Sequence, residues 1–251
     1  MKTLIPSAWR VHLRASQRTC ADHWHGHHQR FARDRLSADV QAACVPQVSL
    51  TQPLGSASAP QLERKQHNLR LAIAQLQNVG IQPGQIFSFW HLVGQPTAQA
   101  GYVEGRTITG EHLVTSVGGG LCQLSGMIYF VALRAGLTII ERHPHSKDIY
   151  TDATRFAPLG SDATVVYGYK DLRVQNSLAM PLCFRFDLGE RELQVHLCAP
   201  DAIAEATVEF RIQQLDTVTR VETLRQCPNE TIAQVISVDR YPQLSVPTAL
   251  P

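Results

Sequence analysis

Three glycines, Gly118-Gly119-Gly120, run directly into Leu121-Cys122-Gln123-Leu124-Ser125, and Arg142-His143-Pro144-His145 follows about twenty residues later. A cysteine and a histidine are the parts of a nucleophile pair: the imidazole takes the thiol proton and later returns one to a leaving group. Histidine suits the task because its pKa lies close to neutral pH. Pro144 restricts the backbone between the two histidines, so their side chains diverge and only one of them acts as the base. His145, further out along the chain, is preferred, with His143 as the alternative. Asp162 is the candidate to orient the imidazole, as the third member of such triads does. The glycine turn, Gly119 and Gly120 with Leu121 and Cys122, offers backbone N–H groups for a developing oxyanion, with Gln123 or Ser125 as side-chain help. Arg142 could pair bidentately with a substrate carboxylate. Plainer roles are also open: a helix-capping cysteine beside surface histidines, a Ser125 bonded to nearby backbone, and an Asp162 that only caps a turn.

The elements that must place these residues follow from hydrophobic pattern and punctuation. The run Leu124 to Ala135 is apolar apart from Ser125, Gly126 and Arg134, and Gly136 stops it. It reads as a buried helix with Cys122 at or near its N-terminus, where unpaired N–H groups and the positive end of the helix dipole favour a thiolate. Leu137 to Ile140 is a short β-prone segment that ends at the histidines. Upstream, Leu62, Leu69, Ile73 and Leu76 recur at helical spacing after Ser58-Ala59-Pro60, giving an amphipathic helix that Gly80 terminates. Pro83-Gly84 marks a turn, and Ile86 to Trp90 reads as an aromatic-rich strand whose Phe87, Phe89 and Trp90 pack in the core. Residues 162–167 and 171–176 read as strands, with Asp171 and Asn176 as turn residues at the ends of the second. Residues 183–188 and 192–197 form a hairpin around Gly189, and 207–212 a further strand. Helices come early and strands late, so the expected class is α+β: an antiparallel sheet packed against the buried helix, plus the amphipathic N-terminal helix. The chain divides into a poorly specified extension (1–55), a central domain (56–200) and a C-terminal β extension (201–251).

A net charge of +2 with no basic, aromatic-interleaved stripe gives no reason to expect nucleic acid, and no apolar run approaches membrane-spanning length. Met1 to Leu13 lacks a continuous apolar core and a small-residue cleavage site, which reads as cytoplasmic unless a start further upstream adds a leader. The six cysteines show no C-x-x-C spacing; Cys183 and Cys198 stand in facing strands, where two buried thiols are expected rather than a disulfide. The histidine-rich stretch Ala21 to His28 lacks the fixed spacing of a metal site and reads as a basic surface segment, with a helix over Gln29 to Ala43. A Cys122–His143–His145 metal site is disfavoured because two histidines separated by one proline rarely converge on one ion. Neither metal nor cofactor is expected.

With these residues in view, the chain resembles the VanW-like proteins, a family named for an accessory product of B-type vancomycin resistance clusters. The resemblance rests on Pro83-Gly84, Phe87-Ser88-Phe89-Trp90, Val93-Gly94, Thr97, Gly101-Tyr102, Gly110, the Gly118–Ser125 stretch, Leu137 to His145, Asp162 to Val165, Gly168 and Asp171 to Asn176, within residues 60–200. It implies an association with bacterial cell-wall peptides and, for some members, cysteine chemistry of the L,D-transpeptidase type. The implied substrate is a peptidoglycan stem peptide or precursor, whose D-alanine terminus or diaminopimelate side chain would offer Arg142 a carboxylate. The alternative is a binding or accessory module for such peptides in glycopeptide resistance, without turnover. Members acting on assembled wall carry an export signal or anchor, which the residues read here do not show.

Overall fold

The computed structural model describes residues 7–55, 58–109, 112–146 and 157–242. Helix α1 (Ser7–Trp24), a 3-10 turn (His28–Arg30), α2 (Ala38–Ala43), β1 (Val45–Pro53) and α3 (Ala59–Leu76) come first. Next are β2 (Gly80–Ile81), β3 (Ile86–Ser88), α4 (Phe89–Val93), the hairpin β4 (Glu104–Thr109) and β5 (His112–Val117), α5 (Leu121–Arg134) and β6 (Thr138–Glu141). The chain continues with β7 (Arg173–Gln175), β8 (Leu182–Leu188), β9 (Glu192–Ala199), β10 (Thr207–Gln214), β11 (Val218–Gln226) and β12 (Gln234–Pro242).

Every pairing between these strands is antiparallel, so the class is α+β as the sequence indicates. The sheets have strand orders β1-β9-β8-β2, β3-β7-β6 and β10-β11-β12, beside the two-stranded β4-β5. Helix α5 is apolar nearly all round, and Leu124, Met127, Ile128, Val131, Ala132 and Leu133 are fully buried. Such a helix needs cover on every side; β1, β9, β6 and β10 supply it. Each buried leucine side chain contributes roughly 1.5–3 kcal/mol. Helix α3 is amphipathic, with Leu69, Ala72 and Leu76 buried and Arg64 and Arg70 exposed. Phe87 and Phe89 are core residues, as their aromatic character suggests.

Several local expectations are corrected. No helix spans Gln29 to Ala43: Phe31 bridges Ile86, Arg35 bridges Val79, and the backbone bonds Ala32 N to Ile86 O and Gly80 N to Asp34 O hold that stretch extended. The strand at Ile86 stops at Ser88, whose hydroxyl caps α4 by accepting from His91 N (3.2 Å). Residues 162–167 do not form a strand, because their backbone groups go to different elements. Ala163 O accepts from the Ser125 hydroxyl, Thr164 N donates to His143 O, and Val165 O accepts from the Cys122 thiol. The second expected strand shortens to β7. Asp171 is a buried hub rather than a turn residue: it accepts from Ser88 Oγ (2.6 Å), Trp90 N (3.0 Å) and Arg173 Nε (2.9 Å). Arg173 in turn grips Asp22 of α1.

Residues 45–53, read as part of an extension, form β1 against β9. Cys183 and Cys198 face one another directly and, with Cys44, are buried thiols. The linker residues Ser56 and Ala57, Gly110, the first six residues and the tail from 243 lie outside the described residues.

Candidate functional site

The triple glycine answers two physical constraints. Gly118 (φ +85°) and Gly120 (φ +101°) are in the left-handed region, which glycine alone enters without strain. A Cβ on Gly119 would lie 2.3 Å from the carbonyl carbon of Gly105. The turn is thus pressed against the base of the β4-β5 hairpin. Asn68 of α3 locks the two together: its amide nitrogen donates to Val103 O and Gly119 O, both at 3.0 Å, and its Oδ1 accepts from Val103 N at 2.9 Å. Gly120 is the N-cap of α5, which places Cys122 in the first turn, half-buried, where the Leu121 and Cys122 N–H groups precede the first bond of the helix, Gln123 N to Gly120 O at 3.1 Å.

Segment 161–165 lies along this first turn. The Ser125 hydroxyl donates to Ala163 O (2.6 Å) and the Cys122 thiol to Val165 O (3.7 Å), while Thr164 N donates to His143 O (2.7 Å). Asp162 is thereby held between α5 and the chain leaving β6. Its Oδ2 accepts from both His145 Nδ1 and His145 N at 2.6 Å. The Cys122 side chain is near enough to the imidazole to raise its pKa, while the thiol's own hydrogen bond goes to Val165 O. Cysteine, histidine and aspartate are therefore neighbours, with the imidazole bonded to the carboxylate and electrostatically coupled to Cys122.

The electrostatics follow from these contacts. Burial alone would lower the pKa of His145, but its hydrogen bond to Asp162, the neighbouring Cys122 side chain and the charges of both prevail and push it up to about 9. Burial alone would raise the Asp162 carboxyl; the His145 hydrogen bond and the Arg142 charge instead hold it well below the usual carboxylate range. The other histidine belongs to a second network. His143 Nε2 meets Glu141 Oε1 (2.9 Å), and Glu141 also accepts from Arg18 (2.5 Å) and from Asp171 N (3.0 Å). Pro144 thus separates two histidines with two different carboxylate partners.

Three residues assigned to substrate binding by the sequence are engaged inside the protein. The Arg142 guanidinium is almost fully buried and contacts Asp162, Asp239 and Gly160 O, so its fork is not presented to a substrate carboxylate. The Ser125 hydroxyl is committed to backbone carbonyls. Gln123 donates to Pro53 O (2.8 Å), which ties α5 to the end of β1 and leaves its Oε1 buried without a partner. Gly119 and Gly120 shape the turn that carries the leading N–H groups of α5.

The sequence reading missed Asn68, Asp239 and Tyr241. Asn68 had a signal, a polar residue in the apolar stripe with Leu69, Ala72 and Leu76. Asp239 and Tyr241 share one face of β12 by their i, i+2 spacing, but nothing local points to Asp162. Among the described residues, no group of three or more His, Cys, Asp or Glu side chains is placed to hold a metal ion. The histidine-rich stretch ends α1, with the His23 and His28 rings 3.8 Å apart between centroids and tilted by 31°. No described helix is long and apolar enough to cross a membrane.

Fold and site together define an α+β protein with a cysteine–histidine–aspartate constellation at the N-terminus of a buried helix. A family model described as VanW like protein matches residues 64–198, and the chain belongs to that family. It is 39% identical over 114 residues to the vancomycin B-type resistance protein VanW of Enterococcus faecalis, covering 45% of this chain and 42% of that protein. It is 35% identical over 139 residues to the uncharacterized protein YoaR of Bacillus subtilis, covering 55% of this chain and 44% of that protein. These matches span less than half the length of either relative. No solved structure matches the chain.

Proposed function

We propose that the protein is a cysteine acyltransferase of the L,D-transpeptidase type, or a peptidase, acting on peptidoglycan-type peptides through a thioester at Cys122. The observation that carries this reading is the His145 ring, bonded to Asp162 through Nδ1 at 2.6 Å and close enough to Cys122 for that side chain to raise its pKa. The name of the Enterococcus relative, a vancomycin B-type resistance protein, supports a cell-wall peptide as the substrate class.

In this scheme the Cys122 and His145 side chains share one proton, which the imidazole carries while the sulfur reacts. The sulfur attacks a peptide carbonyl, a C–S bond forms, and the oxyanion is held by the first N–H groups of α5. The C–N bond then breaks, and the departing amine takes the His145 proton. Neutral His145 next removes a proton from an acceptor amine, for cross-linking, or from water, for hydrolysis. The acceptor attacks the thioester, the C–S bond breaks, and the released sulfur and His145 again share one proton. Asp162 stays ionised throughout and fixes the imidazole tautomer.

Intact-mass measurement after incubation with a peptidoglycan stem peptide tests the reading. The expected result is an acyl adduct on Cys122 with release of the C-terminal amino acid, absent in Cys122→Ala. Saturable binding of the stem peptide with neither adduct nor release would replace the enzyme with a binding module.

A further inference from the structure

The family-matched segment ends at residue 198, yet the acid of the constellation is held from well beyond it. Asp239 and Tyr241 alternate on β12, leave the same face of the strand and are both buried. The Tyr241 hydroxyl donates to Asp162 Oδ1 at 2.7 Å. Burial and the Asp162 charge push its pKa up, so the phenol remains a donor. Asp239 forms a short ion pair with Arg142 Nη1, and Arg142 Nη2 reaches the same Asp162 Oδ1 at 3.0 Å. A second observation shows that the sheet is pressed onto this place. Gly160, two residues before Asp162, has φ +99°, and a Cβ there would meet Phe210 of β10 and Val221 of β11 at 2.8 Å. Sheet, glycine turn and carboxylate are therefore packed as one unit.

The charges explain why two carboxylates are needed. Arg142 faces Asp162, Asp239 and the phenols of Tyr129 and Tyr241, its guanidinium lying 5.0 Å over the Tyr129 ring. His145 faces Asp162 and Cys122. With Arg142 buried and always positive, Asp162 alone would be neutralised by it and would do little for an imidazolium. Asp239 supplies the second negative charge, so the buried set of Arg142, Asp162, Asp239 and His145 is neutral when His145 carries its proton.

We propose that Asp239 and Tyr241 are positioning residues of the Cys122–His145–Asp162 site, supplied by the C-terminal sheet: Asp239 offsets Arg142 so that Asp162 can hold the imidazolium, and Tyr241 fixes the rotation of that carboxylate. The proposal rests on the thiol–imidazole reading above, and its two parts differ in sign. Asp239→Asn removes a negative charge from the cluster, so protonated His145 becomes less favourable. Tyr241→Phe removes a neutral donor that competes for Asp162, so the carboxylate binds the imidazolium more strongly.

The test is an NMR titration of the His145 ring in the full chain, with the resonance assigned by its loss in His145→Gln. The expected midpoint falls by about one unit in Asp239→Asn and rises by about half a unit in Tyr241→Phe. A loosened structure would lower both, so two falling midpoints, or midpoints unchanged from the wild type, overturn the proposal. Tyr241→Phe preserves the buried ring and carries the test by itself if Asp239→Asn does not fold. The readout needs no turnover. If the midpoints move in opposite directions while no stem peptide acylates Cys122, this inference stands and the proposed activity fails.

Discussion

The raised pKa of His145 makes folding stability depend on alkaline pH in a defined window. The ordinary histidine value is 6.5 and the folded value about 9, so the folded state binds the proton more tightly than the unfolded chain does. The resulting stabilisation is fully present below pH 6.5 and is lost as pH rises through 9. The gap of about 2.5 units corresponds to an upper limit of roughly 3 kcal/mol. Burial lowers the pKa of His91, which therefore acts in the opposite sense and below pH 6.5. The assay is the urea midpoint at pH 6, 7.5, 9 and 10 in wild type, His145→Gln and Asp162→Asn. The wild type is expected to lose most of this increment between pH 7.5 and 10, and both variants to lack the step. Superimposable pH profiles for wild type and His145→Gln would refute the reasoning, because the step would then belong to other groups.

Gly119→Ala should be costly for reasons of space alone, since its Cβ would stand 2.3 Å from the backbone of Gly105. We expect a loss of at least about 2 kcal/mol, a fall of roughly 4–8 °C in Tm by calorimetry. Gly84→Ala, with φ +78° and nothing within 4 Å of the added carbon, should cost only the backbone strain of about 1–2 kcal/mol. Ser125→Ala leaves the Ala163 carbonyl without its 2.6 Å donor and should lower stability by about 1–3 kcal/mol in urea titration.

The parts of the site readable in sequence are those whose meaning is local. A glycine run opening an apolar stretch implies a turn that presents the residue after it, and a proline between two histidines implies divergent side chains. Segment 162–167 has strand-like composition, but ladder formation depends on one continuous partner, and here the backbone groups go separately to Ser125, His143 and Cys122. Arg142 looked available because its partners lie elsewhere in the chain: Gly160 and Asp162 on a turn, Asp239 nearly a hundred residues away. Asp171 reads as a turn residue in sequence for the same reason, since its burial depends on Ser88, Trp90 and an arginine that also holds α1. Long-range charge pairing carries no periodic signature, whereas α5 and α3 announce themselves by theirs.

The most direct measurement of the central claim, that Cys122 and His145 work as a pair oriented by Asp162, is the alkylation rate of Cys122 at pH 7, read by site-resolved mass spectrometry against the other five cysteines. The account predicts a fall of at least about tenfold in His145→Ala, with little change in His143→Ala, whose ring serves Glu141. Equal rates in wild type and His145→Ala, or a loss confined to His143→Ala, would contradict it.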